Sequence, residues 1–340
     1  MAASFCFSES APRNVAQPKV IGPVSQYGEL IAGRVKGKGR IYGSCNGVKL
    51  GKEVQLRGMS LYWSLVPEAT EFYTEKAISR MVKDLKIQII RIAVATYEDW
   101  GKGYVGYLKN PEQQLSLIRQ AVDAAVANDI YVIIDWHSHV ATSQYKEGPA
   151  FFEKMAKEYG HLDNVIFEVF NEPQGQSWFQ IKGYHQLAIN AIRAYSDNLI
   201  LLANPGWNQH PDAAIGKEPK DPKNNIAYTF HFYSNSHTVE KEGAAAVRAL
   251  DAGLPLFVTE WGATDYETKQ LPNRAAAEPW LKFMDKYKIS SLNWSASKVQ
   301  ETSSAFLPES NEDQLILSES GELLKKIMSV NPSRYKKCRH

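Results

Sequence analysis

Eight short apolar runs, at residues 54–61, 87–95, 131–136, 165–170, 199–203, 226–232, 254–259 and 289–294, recur along the chain. Each is too short for a core helix and is bounded by polar, turn-prone residues, so each reads as a buried strand. Amphipathic stretches of helical period lie between them, such as Ala77-Ile78-Ser79-Arg80-Met81-Val82-Lys83-Asp84-Leu85 and residues 114–126. Strands alternating with helices over about 280 residues predict an α/β fold, a single-domain (β/α)8 TIM barrel. A doubly wound open sheet competes, but it would carry a glycine-rich phosphate loop after its first strand. That loop is missing, which also argues against nucleotide binding.

The regular pattern sets the expected boundaries. Residues 1–24 are rich in Ser, Pro and Ala and predict a flexible leader, residues 25–330 the barrel, and residues 331–340 a basic tail. A short N-terminal hairpin is expected where Arg40-Ile41-Tyr42-Gly43 and Val48-Lys49-Leu50 flank the turn-prone Ser44-Cys45-Asn46-Gly47. The basic run Arg34-Val35-Lys36-Gly37-Lys38-Gly39-Arg40 is glycine-spaced and predicts a solvated loop. A formal net charge of +2 offers no attraction for nucleic acid or an anionic membrane, and no stretch approaches the ~18 apolar residues of a span. Met1–Ser10 lacks the basic region and apolar core of a secretory signal. Three cysteines, Cys6, Cys45 and Cys338, cannot all pair in one chain, so free thiols are the default, with a tail-to-hairpin bridge through Cys45 open if the chain is exported.

Two glutamates stand at strand ends: Glu172 in Val169-Phe170-Asn171-Glu172-Pro173 and Glu260 in Phe257-Val258-Thr259-Glu260-Trp261-Gly262. Desolvating an ionised carboxylate costs several kcal/mol or shifts its pKa, so an acid there belongs at a strand's exit into a cleft. In barrels of this kind the site is built at the C-terminal ends of the strands. The second run carries Arg91 among apolar neighbours, which implies an acid partner. The others end in Asp135-Trp136-His137, Asn171-Glu172, His231-Phe232-Tyr233, Glu260-Trp261 and Asn293-Trp294, and Trp207 follows the fifth.

Two acids from two strands suit glycoside hydrolysis, with the gap between the carboxyls separating retention from inversion. Glu260 is expected as nucleophile, held ionised by Arg91 and a hydrogen bond from Tyr233. Glu172 is expected as acid/base, its pKa raised by nearby negative charge and partial burial. Asn171 would hold the sugar 2-hydroxyl, and Trp294 would stack on the ring at the cleavage point. His137 and His231 would orient hydroxyls and the acid network, and Trp207 would stack the leaving-group sugar.

At these residues the chain resembles glycoside hydrolase family 5, most closely its bacterial-type endo-β-1,4-glucanases. The resemblance runs from Val24-Ser25-Gln26-Tyr27-Gly28-Glu29-Leu30 to about residue 325. It rests on the segments quoted above together with Ser291-Leu292-Asn293-Trp294-Ser295-Ala296-Ser297-Lys298. The family's shared site residues fall on Arg91, His137, Asn171, Glu172, His231, Tyr233, Glu260 and Trp294. The resemblance implies endo-acting, retaining cleavage of cellulose or a related β-glucan by a secreted monomer, with no cofactor and no metal.

Three departures touch the sugar-binding side. Leu61-Tyr62-Trp63 stands where many relatives carry a His, Ala95 stands where many carry a Tyr, with Tyr97 as substitute, and Ser297-Lys298-Val299 replaces Ser-Asp-Lys. Trp63, Tyr97, Lys298 and Glu301 are therefore expected as sugar-side residues, and mannan or mixed-linkage glucan stays open as substrate. A metal hydrolase is the first rival, because His137-Ser138-His139 is an HxH. That motif belongs on a first strand with further ligands, and here it follows the third. A non-catalytic sugar-binding barrel is the second, but it would lose one of the two acids. Asn293-Trp294-Ser295 matches a glycosylation sequon and is read as a decoy within the site.

Overall fold

The computed structural model describes residues 11–45 and 51–338. After an antiparallel hairpin, β1 (Leu30–Val35) and β2 (Lys38–Gly43), the chain forms β3 (Arg57–Leu61), β4 (Ile89–Ala95), β5 (Tyr131–His137) and β6 (Val165–Glu168). It continues with β7 (Ile200–Leu202), β8 (Ile226–Tyr233), β9 (Leu256–Gly262) and β10 (Ser290–Ala296). The last eight strands are parallel and close into a barrel in the order β10-β3-β4-β5-β6-β7-β8-β9, the expected (β/α)8 fold. Helices α1 (Glu75–Leu85), α2 (Pro111–Ala127), α3 (Glu147–Tyr159), α4 (Trp178–Arg193), α5 (Glu242–Asp251), α6 (Arg274–Tyr287) and α7 (Glu319–Met328) surround it. Between β7 and β8 there are only two short helical turns, Pro205–Asn208 and Pro211–Ala214. Local signals set the helix ends. Ser177 and Gln180 form a capping box at the start of α4, and Thr74 caps α1, which stops at Lys86 in the left-handed region.

Period-two alternation sorts each strand. On β4, Ile90, Ile92 and Val94 face the helices in the larger apolar cluster, and on β5 Val132, Ile134 and Trp136 do the same. Their neighbours point inward, and the lowest interior layer is apolar: Ile89, Ile133, Ile166, Leu201, Ala227, Phe257 and Leu292. One step higher the interior turns polar, with Arg91, Asp135, Glu168 and Thr229 fully buried. Core chemistry thus gives way to site chemistry partway up the barrel.

The floor departs from expectation. The hairpin lies one strand earlier than predicted and turns at Lys36-Gly37, both with positive φ, so the basic run is strand and turn rather than a solvated loop. The reason is a turn in which both central residues are left-handed, the geometry that matches strand twist. The second strand of the expected hairpin, residues 48–50, lies outside the described residues. Gly39 lets the hairpin dock, because a Cβ there would collide with the Leu254 backbone. Leu30 and Ile41 cap the lowest apolar layer.

Where a flexible leader and a basic tail were expected, both segments are tied to this face. Arg13 N donates to Glu158 O at 3.1 Å, Lys19 N to Ala127 O at 3.1 Å, and Val24 N to Asp129 O at 3.2 Å. In the tail, Cys338 N donates to Ser25 O at 2.8 Å, and Tyr335 Oη accepts from Gln88 Nε2 at 2.9 Å. A Cys45–Cys338 disulfide spans 293 residues, so free thiols are not the state of these two. Cys6 lies outside the described residues.

One buried group has a consequence for acid stability. His185 on α4 is fully buried with neither ring nitrogen partnered, and burial pulls its pKa down to about 3. The folded state keeps it neutral, while the unfolded chain takes up a proton below its ordinary value of 6.5. Its contribution is therefore complete above pH 6.5 and is lost as pH falls toward 3. The expected loss between pH 7 and pH 5 is about 2 kcal/mol. Urea unfolding at the two pH values, for wild type and His185→Leu, checks this; an equally steep loss in the variant would refute it.

Candidate active site

Arg91 is the hub. Its Nε donates to Glu168 Oε2 at 2.8 Å and its Nη2 to Glu168 Oε1 at 3.1 Å. Nη2 also lies 3.0 Å from Asp135 Oδ2 and donates to Asn171 Oδ1 at 2.6 Å. Nη1 reaches Glu260 Oε2 at 3.2 Å. The implied acid partner is therefore three acids from three strands. That answers the cost of burying a guanidinium, since each donor face meets an acceptor. Glu168, missed as a site residue, was visible as an acid inside the apolar run Val165–Phe170.

The networks fix orientation. With Asn171 Oδ1 taken by Arg91, its Nδ2 is left to donate and lies 3.5 Å from His137 Nε2. His137 Nδ1 sits 2.6 Å from Asp135 Oδ2, and burial holds this imidazole neutral by pushing its pKa well down. Tyr233 Oη donates to Glu260 Oε1 at 2.7 Å. A register shift on β9 explains how Glu260 reaches the interior: it pairs with His231, whereas Phe257 pairs with Thr229, so β9 carries one extra residue. The bulge turns Glu260 inward beside Thr259.

Oxygens of Glu172 and Glu260 and a ring nitrogen of His231 lie within 4.8 Å of one another. Burial lifts Glu172 to about 7, with Glu168's charge a smaller contribution and His139 and Arg91 opposing it. Of the two expected causes, burial leads and nearby negative charge is the lesser. Glu260 is raised too, by burial and then by Glu172, against His231, Arg91 and Tyr233. With both carboxyls raised and Glu172 the one lifted to about 7, the first proton the pair takes up belongs on Glu172. Protonating Glu172 removes the repulsion on Glu260, whose oxygens already accept from Arg91 and Tyr233.

These groups line a cleft of about 710 Å³ at the C-terminal ends of the strands. Of the residues expected at the site, Trp63, His137, Asn171, Glu172, Trp207, His231, Tyr233, Glu260, Trp294 and Glu301 line it, and Arg91 lies beneath it. Trp294 stacks on His137 at 5.4 Å with rings 2° apart, and Trp63 meets His137 edge-on at 4.2 Å. Besides Arg91, two expected residues do not line the cleft. Tyr97 lies past the end of β4 and points to solvent, between the inward-held Thr96 and Glu98. Lys298 Nζ is drawn off to Glu71 Oε2 at 2.7 Å and Ser310 O at 3.0 Å. Tyr62, His139, Gln209, His237, Tyr266, Glu267 and Thr268 also line the cleft. They sit in loops, where no periodicity marks them. The His137-Ser138-His139 pair is not the group with metal-ligand spacing, which among the described residues is Glu172, His231 and Glu260.

Trp207 is half exposed and held at φ 54°, with its N–H on Pro173 O at 2.8 Å. A bulky residue held left-handed at a cleft is strain with a use. Trp207→Ala is expected to raise KM for polymer about fivefold, from about 1 kcal/mol of lost stacking, with kcat nearly unchanged. Steady-state kinetics on soluble β-glucan would read this, and an unchanged KM would make Trp207 structural.

The profile of a cellulase family, glycosyl hydrolase family 5, matches residues 49–300. Endoglucanase Z of Dickeya dadantii (strain 3937) is 39% identical over 295 residues, covering 85% of this chain and 66% of that protein. The chain therefore spans just under two thirds of that relative's length. A solved structure from Cytophaga hutchinsonii superposes with TM-score 0.82 at 35% identity, covering 91% of this chain and 97% of that one. The catalytic domain of Thermobifida fusca endoglucanase Cel5A, as a variant in complex with cellotetraose, does so with TM-score 0.75 at 26% identity over 91% and 99% of the two chains. With a matching profile over most of its length and a relative of this identity, the chain belongs to glycosyl hydrolase family 5.

Proposed function

We propose that the protein is an endo-β-1,4-glucanase that cleaves internal bonds of cellulose or a related β-glucan with retention of configuration. The observation that carries this reading is the spacing of the acids. One oxygen of each carboxyl lies within 4.8 Å of one of the other's, short of the roughly 6.5–9.5 Å that an inverting enzyme keeps for its water, and this supports retention. In the first step Glu260 attacks the anomeric carbon while Glu172 gives its proton to the departing glycosidic oxygen, leaving a glycosyl ester on Glu260. In the second, Glu172 takes a proton from water, which attacks the same carbon and releases Glu260. With its Oδ1 taken by Arg91, Asn171 would offer Nδ2 as a donor to the 2-hydroxyl of the sugar at the cleavage point.

Aromatic rings flank the acids on two sides in barrel order: Tyr62 and Trp63 from the loop after β3 with Trp294 on β10, and Trp207 and Tyr266 from loops after β7 and β9. This arrangement favours a chain bound along its length, and the cellotetraose complex of Cel5A is consistent with such a ligand. A Cys45–Cys338 disulfide favours an oxidising, extracellular setting, and no helix among the described residues is long and apolar enough to cross a membrane.

Reducing-sugar release from carboxymethylcellulose, barley β-glucan, mannan and xylan, assayed in parallel, tests the substrate. Release from the first two is expected to dominate. Mannan dominance would move the specificity to a mannanase, and no release from any polymer would sink the reading.

A further inference from the structure

His231 is held between Glu172 and a second chain of polar groups that leads back to Arg91. Its Nδ1 lies 2.7 Å from Glu172 Oε1, and its Nε2 lies 2.8 Å from Thr259 Oγ1. The Thr259 hydroxyl donates to Glu168 Oε1 at 2.9 Å, and both Glu168 oxygens accept from Arg91. A hydroxyl has one proton and otherwise only lone pairs. With that proton committed to Glu168, the Thr259 oxygen meets His231 as an acceptor. The ring proton of neutral His231 then sits on Nε2, and Nδ1 turns a lone pair toward Glu172. A lone pair there accepts from protonated Glu172 and repels its carboxylate.

One group favours the opposite tautomer. Asn208 Oδ1 accepts from Asn204 N at 2.9 Å, which leaves its Nδ2 facing His231 Nε2 at 3.3 Å. Thr259 is 0.5 Å closer, so it prevails while its hydroxyl is present.

We infer that Thr259 is a positioning residue that sets the tautomer of His231 and, through it, holds the proton on Glu172. The inference rests on Glu172 being the acid/base. The other titratable and charged groups around Glu172 come from four elements: His139 after β5, 3.9 Å from Oε2, Glu260 on β9, and Glu168 on β6 and Arg91 on β4, which act through the field. Thr259→Val leaves all four in place. The bland account, a core hydroxyl that merely satisfies Glu168, predicts no effect confined to one limb of a pH profile.

The test compares wild type, Thr259→Val and Thr259→Ser on carboxymethylcellulose and on a dinitrophenyl cellobioside, whose leaving group needs no proton, from pH 4 to 9. In Thr259→Val, Nε2 loses its acceptor, the ring proton moves to Nδ1 and donates to ionised Glu172. The basic limb on polymer should then move down by about one pH unit, a roughly tenfold loss above it, with the activated substrate little changed. Thr259→Ser should restore the limb. Nitrogen-15 NMR of histidine-labelled wild type should place the His231 proton on Nε2, independently of whether the valine variant folds. A proton on Nδ1 in wild type, or a loss in Thr259→Val uniform across pH and on both substrates, would overturn the inference. Failure of the acid/base reading is distinguishable, because Glu172→Gln would then depress both substrates equally.

Discussion

Glu260→Ala is expected to lower kcat on soluble β-glucan by about 10⁴-fold or more, with the fold intact by circular dichroism. Glu260 is buried, accepts from Arg91 Nη1 and Tyr233 Oη, and has no neighbour that replaces it as a nucleophile. Removing the carboxylate also leaves room beside the anomeric carbon for a small anion. Added azide should therefore restore part of the activity on an activated aryl cellobioside and give the α-glycosyl azide. Absence of rescue, or a β-azide product, would take the nucleophile role away from Glu260.

Glu172→Gln is the second large effect, and its size should depend on the leaving group. The amide keeps the shape and the contact with His231 but has no proton to give. Polymer cleavage should fall by about 10³-fold or more, while formation of the glycosyl ester from a dinitrophenyl cellobioside should fall far less. The pH profile carries the same information. With Glu172 at about 7, the first step on polymer needs the protonated form and should decline as pH rises through that value. The basic limb should be missing from whatever polymer activity Glu172→Gln retains. Equal losses on both substrates, with the limb unchanged, would move the acid/base role elsewhere.

The barrel was legible because most strands announce themselves twice, as an apolar run too short for a helix and as a polar or aromatic residue at the C-terminal end. Arg91 was legible for the same reason, since a cation inside Ile89-Ile90-Arg91-Ile92 has to be met by acids. Glu168 is equally visible but lies inside its run rather than at the strand end, where site residues of a barrel are expected. The hairpin was misplaced because Asn46-Gly47 carries a stronger turn signal than Lys36-Gly37, and a lysine in the left-handed region leaves no mark in the sequence. Tyr97 and Lys298 failed where position along the chain was taken for direction. Beyond a strand's end the path is set by loop hydrogen bonds such as those of Glu98 and Ser310, which have no period. Thr259 faces the interior by strict alternation from Phe257, whereas Glu260 joins it there only because β9 gains a residue at its bulge.

The tied floor decides how this protein can be held. Residues 13–25 and 335–338 are anchored against the N-terminal face of the barrel, and the cleft opens at the other. Anything grafted beyond either anchored segment, whether a resin bead, a scaffold or another folded module, pulls from behind the catalytic mouth. Immobilised by either end, the molecule presents its mouth to an incoming fibre, and a tether need only be long enough for the barrel to pivot.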